Sequence, residues 1–200
     1  MSVESSADGM PAGDITTPQP VPQQQHLARL FVPLVVGALV SLTLGIYGKV
    51  HTPTGIAVDL AGFSSPLTVK VWLRSLAAFL ALVQLVSALV MWGKITVFGS
   101  PSWIGTLHRW SGRVAFLATI PVAMHCLYAL GFETFSARVL FHSIMGCLFF
   151  GVFTVKMLVL PKKGLAGWVL PVVGGSVFSI LILIWLSSAL WFFTTKGVYF

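Results

Sequence analysis

The stretch Thr106–Lys156 reads TLHRWSGRVAFLATIPVAMHCLYALGFETFSARVLFHSIMGCLFFGVFTVK. Two long apolar runs flank the short segment Gly131–Ser136, which begins with glycine and contains Glu133, Thr134 and Ser136. An apolar run of about 20 residues is long enough to cross a bilayer as a helix. The stretch therefore predicts a membrane helical hairpin, with His125 shortly before the turn and His142 shortly after it.

The composition places the whole chain among membrane proteins. Of its 200 residues, 56% are hydrophobic and only 8% are charged, whereas soluble domains carry about 25% charged residues. The net charge of +7 comes mostly from Lys and Arg at the ends of apolar runs, where such residues anchor helices. We therefore predict an integral membrane protein that has the lipid bilayer as its partner and binds no nucleic acid. Cys126 and Cys147 lie inside apolar runs and indicate no disulfide framework.

The apolar runs predict an all-α fold, a polytopic membrane bundle with five transmembrane helices. Helices are expected because backbone groups in lipid must find hydrogen-bond partners within their own segment. Residues 1–26 are rich in Ser, Pro, Gly and Gln and are predicted to form a disordered cytoplasmic tail. Residues 27–196 form the predicted membrane domain. Its predicted spans are Leu27–Tyr47, Leu67–Trp92, Leu107–Leu130, Val139–Leu160 and Trp168–Phe193.

Basic residues near the ends of the spans predict the orientation of the chain in the cell membrane. Lys and Arg are slightly more frequent at the end of the bundle that carries the N-terminus, and such residues favour the cytoplasmic side. We therefore predict a cytoplasmic N-terminus and an outer position for the hairpin turn. No small-residue cleavage site follows the first apolar run, so this run is predicted to be a retained anchor.

The two histidines of the hairpin predict a cofactor site. They lie equally far from the turn, so antiparallel helices place them at the same depth, roughly 10 Å below the outer boundary. An ionisable side chain inside a bilayer costs about 2.5–3.5 kcal/mol on insertion scales and usually has a function. Two imidazoles that face each other across a gap can take both axial positions of one haem iron. His125 and His142 therefore predict one b-type haem near the outer face, suited to electron transfer and closed to oxygen.

Residues around the histidine pair are predicted to complete this site. Gly146 lies one turn deeper than His142, where the missing side chain leaves room for a flat ring. Pro121, one turn before the first histidine, is expected to kink the third helix and to aim that histidine. Basic residues nearer the outer face are predicted to pair with the haem propionates. The predicted cofactor-binding residues are His125, His142, Gly146, Arg138, Arg74 and Lys70, of which the two histidines are the metal ligands.

Other interpretations of these residues stay open. The two histidines are alternatively hydrogen-bonding groups within a helical bundle, or ligands of another metal ion, although no Cys, Asp or Glu completes a metal-binding set. Small residues such as Gly112, Ala115, Gly146 and Gly151 are alternatively explained by close helix packing alone. His51, in the predicted outer loop, is an alternative ligand, a proton acceptor or an ordinary loop residue.

A further histidine, His108, opens the third predicted helix within the sequence LHRWSGR. It lies about 25 Å from His125 along the helix axis. The matching depth on the fourth helix carries Lys156 and no histidine, so we predict one haem and not two. His108, Arg109 and Arg113 form a candidate interface site for a quinone head group or a lipid phosphate, or alternatively an anchor at the membrane surface.

The HRxxGR motif that starts at His108, followed by His125 and His142 on a helical hairpin, resembles a group of small membrane b-type cytochromes, the cytochrome b561 and ferric-reductase-like group. The resemblance covers Leu67–Phe193, and the whole chain is also similar to a short actinobacterial integral-membrane family with no assigned function. The resemblance implies a helical bundle, haem b and electron transfer through the membrane or at its surface. Those families often carry two histidines on each of two helices, and this chain lacks the fourth.

These observations predict a membrane electron carrier. It would work between a quinol and an external redox protein, or as a subunit of a larger respiratory complex. The alternative is a membrane scaffold or assembly subunit that is not an enzyme and has no cofactor. A small transporter with Gln84, Arg74 and Lys70 along a polar path is a third alternative, although the sequence shows no internal repeat.

Overall fold

Five membrane-spanning helices make up most of the protein. The computed structural model describes residues 23–57, 59, 62–97, 99 and 101–199, and every regular element in these residues is helical. Five spans are long and apolar enough to cross a membrane: Ala28–Val50, Pro66–Met91, Ile104–Leu130, Ala137–Val159 and Val169–Lys196. The predicted all-α fold with five spans is confirmed, and the chain is a multi-pass membrane protein by helix length and composition.

The helices, in chain order, are α1 (Gln23–Val50), α2 (Pro66–Met91), α3 (Ile104–Met124), α4 (Ala137–Val159), α5 (Val169–Trp185) and α6 (Trp191–Lys196). Two π-helical turns continue them: π1 (His125–Leu130) follows α3, and π2 (Leu186–Leu190) joins α5 to α6. The fifth span therefore consists of α5, π2 and α6. Most predicted boundaries differ from these by only a few residues. Residues 1–22 of the predicted tail lie outside the described residues, and its last residues belong to α1, which begins earlier than predicted.

Local sequence signals fix the helices at the hairpin end of the bundle, by which we mean the end that holds the turn at Gly131–Ser136. Ser65 caps α2 by accepting a hydrogen bond from the backbone N–H of Thr68, and Pro66 occupies the first helical position. Ser136 caps α4 in the same way, 3.3 Å from the N–H of Val139. The α2 and α4 starts therefore both lie at the hairpin end and are set by short polar motifs.

Helices joined in the chain are not always packing partners. α4 packs between α1 and α5, whereas α2 packs between α3 and α5. α3 and α4, although joined by the hairpin, do not pack along their lengths in the described residues. They meet where Phe116 of α3 stacks on Phe153 of α4, with ring centroids 4.1 Å apart. On the hairpin side of this contact a gap separates the two helices.

The contact between α1 and α4 is unusually close. A Cβ atom added to Gly37 would lie 2.6 Å from the carbonyl oxygen of Gly151, closer than side chains normally come. A Cβ atom added to Gly151 would overlap the Ser41 hydroxyl group and the Gly37 carbonyl oxygen. Small residues let membrane helices approach in this way. Gly151 therefore has the role of a small residue in close helix packing, which was one of its two interpretations from the sequence.

Candidate functional site

The gap between α3 and α4 is a cavity of about 690 Å³, a volume that includes its open mouth. The hairpin residues Gly131 and Phe132 lie on its lining at one end, and Phe149 and Phe150 of α4 lie toward the other. Most of the remaining lining is apolar as well. The polar side chains on the lining are Arg74, Thr119, Cys126, His142, Ser143 and Cys147.

His142 lies on the cavity lining and has a defined hydrogen-bond partner. Its Nδ1 atom is 3.1 Å from the hydroxyl oxygen of Ser187 in π2. The Ser187 hydroxyl donates its proton to the carbonyl oxygen of Ile184 at 3.1 Å, so this oxygen is left to accept a proton from Nδ1. The Nε2 atom of His142 then keeps a free lone pair. Metal-binding histidines commonly have this arrangement, in which one ring nitrogen donates and the other binds.

His125 is the first residue of π1 and is 9% exposed. Neither of its ring nitrogens has a hydrogen-bond partner among the described residues. It lies beside Cys126, which is on the cavity lining, but is not itself on the lining. The backbone N–H of His125 donates to the carbonyls of both Pro121 and Val122 at the point where α3 passes into π1. π turns inside helices often occur at functional sites.

Two basic side chains of α2 lie close to both histidines. Lys70 and Arg74 are each 7% exposed and lie within electrostatic range of His125 and of His142. Arg74 is also on the cavity lining. The fold therefore brings together four of the predicted site residues from three different helical segments.

Gly146 is the third predicted site residue on the cavity lining, after His142 and Arg74. It is on the lining, and a Cβ atom added to it would meet no other atom within 4 Å. The open space that the sequence predicted one turn from His142 is present.

Arg138 points elsewhere. It donates a hydrogen bond of 2.7 Å to the backbone carbonyl of Ser187. Its guanidinium carbon lies 3.8 Å from the ring centroid of Trp191, in a cation–π contact. Arg138 therefore holds α4 against π2 and α6 and does not line the cavity, where the sequence placed it as a propionate partner.

Comparison with known proteins gives a family and no activity. A family model described as a family of unknown function, DUF6529, matches residues 30–200. The chain belongs to this family. No curated protein and no solved structure is found to match it.

His108 of this DUF6529 protein faces α2. Its Nδ1 atom is 2.8 Å from the hydroxyl oxygen of Ser87, and its backbone carbonyl accepts a hydrogen bond from Gln84. Gln84 also donates to the hydroxyl of Ser111 at 2.7 Å. Gly112 makes room for this amide, since a Cβ atom there would lie 3.0 Å from its oxygen. The HRxxGR motif therefore forms a polar contact between α2 and α3.

The two arginines predicted to act with His108 are exposed. Arg109 donates to the Thr106 hydroxyl at 3.1 Å, and Arg113 lies over the ring of Trp110 at 5.0 Å. The structure does not gather the three residues around one shared partner.

His51 lies in an aromatic stack at the hairpin end. Its ring is stacked between those of Tyr47 and Tyr128, with centroid distances of 4.9 and 5.2 Å. Its Nε2 atom is buried without a hydrogen-bond partner among the described residues. His51 is not on the lining of the cavity, which separates it from the other predicted site residues.

The structure places at the site two residues that were not predicted from the sequence. Ser187 orients His142, and the Cys126 sulfur accepts a hydrogen bond of 2.8 Å from Arg74. Ser187 leaves a weak signal, because it and Ser188 are adjacent hydroxyl residues in an otherwise apolar run. Cys126 leaves none, since a cysteine in a membrane helix usually packs as a small hydrophobic residue.

Proposed function

We propose that this protein is a membrane-bound b-type cytochrome that carries single electrons through one haem held between α3 and α4. The observation that carries the proposal is the cavity inside the histidine hairpin, with His142 on its lining. An apolar cavity with a few polar groups is the usual form of a cofactor site. The resemblance of the HRxxGR motif and the two histidines to small b-type cytochromes points to the same cofactor.

Three residues would hold the macrocycle. His142 would bind iron through Nε2, because the bond to Ser187 occupies Nδ1. His125 would be the second ligand, because it is buried beside the lining residue Cys126 and its ring nitrogens are free. Gly146 would leave space for the ring.

A haem with two histidine ligands supplies one-electron chemistry when bound and leaves no coordination site open. The chain contributes the ligands and their orientation, and it keeps water from the site. Phe149, Leu181 and Ile184 are buried side chains on the cavity lining. Their apolar surfaces exclude water at the end of the cavity that is remote from the hairpin.

The side of the membrane on which the haem would lie follows from the proposed orientation. With the N-terminus in the cytoplasm of the cell, the hairpin end lies on the outer face of the cell membrane. A haem at this end would exchange electrons with a quinol in the bilayer and with an external redox protein, or with neighbouring subunits of a respiratory complex. A quinone site at His108, Arg109 and Arg113 stays a prediction.

An absorption spectrum of the purified full-length protein tests the proposal. Cells with ample haem should yield protein with Soret and α bands in the reduced-minus-oxidised difference spectrum, and one haem for each chain by the pyridine haemochrome assay. A protein that stays colourless after titration with haem would refute the proposal.

Variants of single histidines test the assigned ligands. His142→Ala should abolish haem retention, and His125→Ala should do the same, while both proteins still insert into the membrane. His108→Gln is the matched control, because this histidine faces α2, and it should keep the spectrum unchanged. Loss of haem only in the control would show that the ligands are wrongly assigned.

A second candidate function is a membrane scaffold without a cofactor. It is favoured by the hydrogen bonds from His142 to Ser187 and from His108 to Ser87, both of which join different helices. This function predicts a colourless protein in which changes of either histidine to glutamine have only mild effects on thermal stability.

A further inference from the structure

Lys70 and Arg74 form a buried pair of like charges. They lie one turn apart on α2, so their side chains share a face and their charges repel each other. Each is only 7% exposed. Charged groups out of water are costly unless an opposite charge or a set of hydrogen bonds compensates them.

The membrane spans supply no carboxylate for this pair. None of the five membrane spans contains Asp or Glu. Arg74 donates to the sulfur of Cys126 at 2.8 Å, but this sulfur offsets at most one of the two charges, and only as a thiolate. The Nε atom of Arg74 is buried without a hydrogen-bond partner among the described residues. Within the membrane spans, at least one positive charge and one free donor therefore stay uncompensated.

The uncompensated donor lies at the cavity. Arg74 is more than nine-tenths buried and is on the cavity lining. His142 and Gly146 line the same cavity. Arginine presents donors in a planar fork that fits a carboxylate. Lys70, one turn nearer the hairpin end, adds a second charge.

We propose that this cavity binds a ligand that carries a carboxylate, whose negative charge lies against Arg74 and Lys70. This inference deepens the proposed function and, for haem as the ligand, rests on it: the carboxylates are then the propionates, and the macrocycle has its propionate edge toward α2. Arg138 has no part in the site, because its guanidinium group is held by Ser187 and Trp191.

Haem and its dimethyl ester provide the test, because they differ only in the carboxylates. The wild-type protein in detergent should bind haem at least tenfold more tightly than the ester. Arg74→Gln and Lys70→Gln should each weaken haem binding at least tenfold and leave ester binding unchanged. Arg138→Gln is the matched control and should bind both as the wild type does. Equal wild-type affinity for haem and ester would overturn the inference.

A second measurement separates this inference from the proposed function. If the wild type binds neither porphyrin, the proposed cytochrome fails, and the carboxylate site is tested with succinate alone. Succinate should then raise the melting temperature of the wild type and of Arg138→Gln, but not that of Arg74→Gln. No rise in the wild type would overturn the inference. If Arg74→Gln does not fold, Lys70→Gln takes its place in both measurements.

Discussion

The two sides of α4 show opposite solutions to helix packing. Toward α1, Gly151 lets two backbones touch, so that no space remains even for a methyl group. Toward α3, Gly146 faces open space in a cavity of about 690 Å³. The two glycines lie about 140° apart around the helix axis. One residue type therefore closes one interface and holds the other open, and only the neighbouring helix decides which.

This difference separates the part of the bundle that stabilises the fold from the part available for a ligand. Van der Waals packing is a main source of attraction between membrane helices. The backbones of α1 and α4 are in direct contact, so this pair packs tightly. The gap between α3 and α4 gives up such contacts, which leaves the cavity lining without packing partners. A gap of this kind is consistent with a bound ligand that restores them.

The largest expected effect on stability comes from adding a side chain at the close contact between α1 and α4. Gly151→Val should destabilise the protein by about 3 kcal/mol, because overpacking displaces backbone that cannot move aside. The measurement is reversible unfolding in mixed detergent micelles. Gly146→Val is the matched control, since its side chain enters open space, and it should unfold close to the wild type. Equal destabilisation by both variants would show that the two sides do not differ as described.

Filling the open side should remove binding and spare the fold. Gly146→Phe places a ring inside the cavity and should weaken haem binding by more than about tenfold, or about 1.4 kcal/mol. Its unfolding should stay near that of the wild type, because a Cβ atom at this position meets nothing within 4 Å. Haem titration and unfolding of the same preparation measure both quantities. Undiminished binding by a folded Gly146→Phe protein would place the haem elsewhere.

Removal of the hydrogen bond that orients His142 should have a smaller effect on haem binding. Ser187→Ala removes the acceptor for Nδ1, and loss of such a partner typically lowers metal affinity about tenfold or somewhat more. Ser188→Ala is the control: this neighbour in π2 donates to the Ile184 carbonyl at 2.6 Å and has no bond to His142. The rate at which each variant loses haem to an external acceptor protein is the measurement, and it should be higher for Ser187→Ala than for Ser188→Ala. Equal rates for the two variants would argue against ligation through Nε2 of His142.

The sequence was sufficient to predict the number, length and order of the spans. Apolar length and backbone hydrogen bonding decide these features, and both can be read from single segments. It also placed His142, Gly146 and Arg74 at similar depth, because depth in the membrane follows from the distance of a residue to the end of its span. These predictions needed only the rise of a helix and the ends of the spans.

The sequence could not predict which helices pack together. Depth says nothing about rotation around each axis, so the HRxxGR motif gave no sign that His108 faces α2. Nor did it show that α1 would take the place beside α4. Arg138 shows the same limit. It contacts Trp191 of α6 and not the cavity, and the sequence does not show that α6 lies beside the start of α4. The π turns also change the direction in which the following side chains point, and no residue of the sequence indicates where they occur.

The smallest effect is expected at the contact between α2 and α3, where polar groups join the helices far from the cavity. Gln84→Leu removes the bonds to the His108 carbonyl and the Ser111 hydroxyl. Ser111 keeps its bond of 2.7 Å to the Leu107 carbonyl, so no strongly uncompensated group is left. Hydrogen bonds between membrane helices contribute about 0.6 kcal/mol on average, and a loss of this size should appear in detergent unfolding. The haem spectrum should not change, because Gln84 does not line the cavity. A shifted Soret band in this variant would mean that the polar contact and the cavity are coupled through α3, and the division of the bundle into a packed part and a binding part would then be wrong.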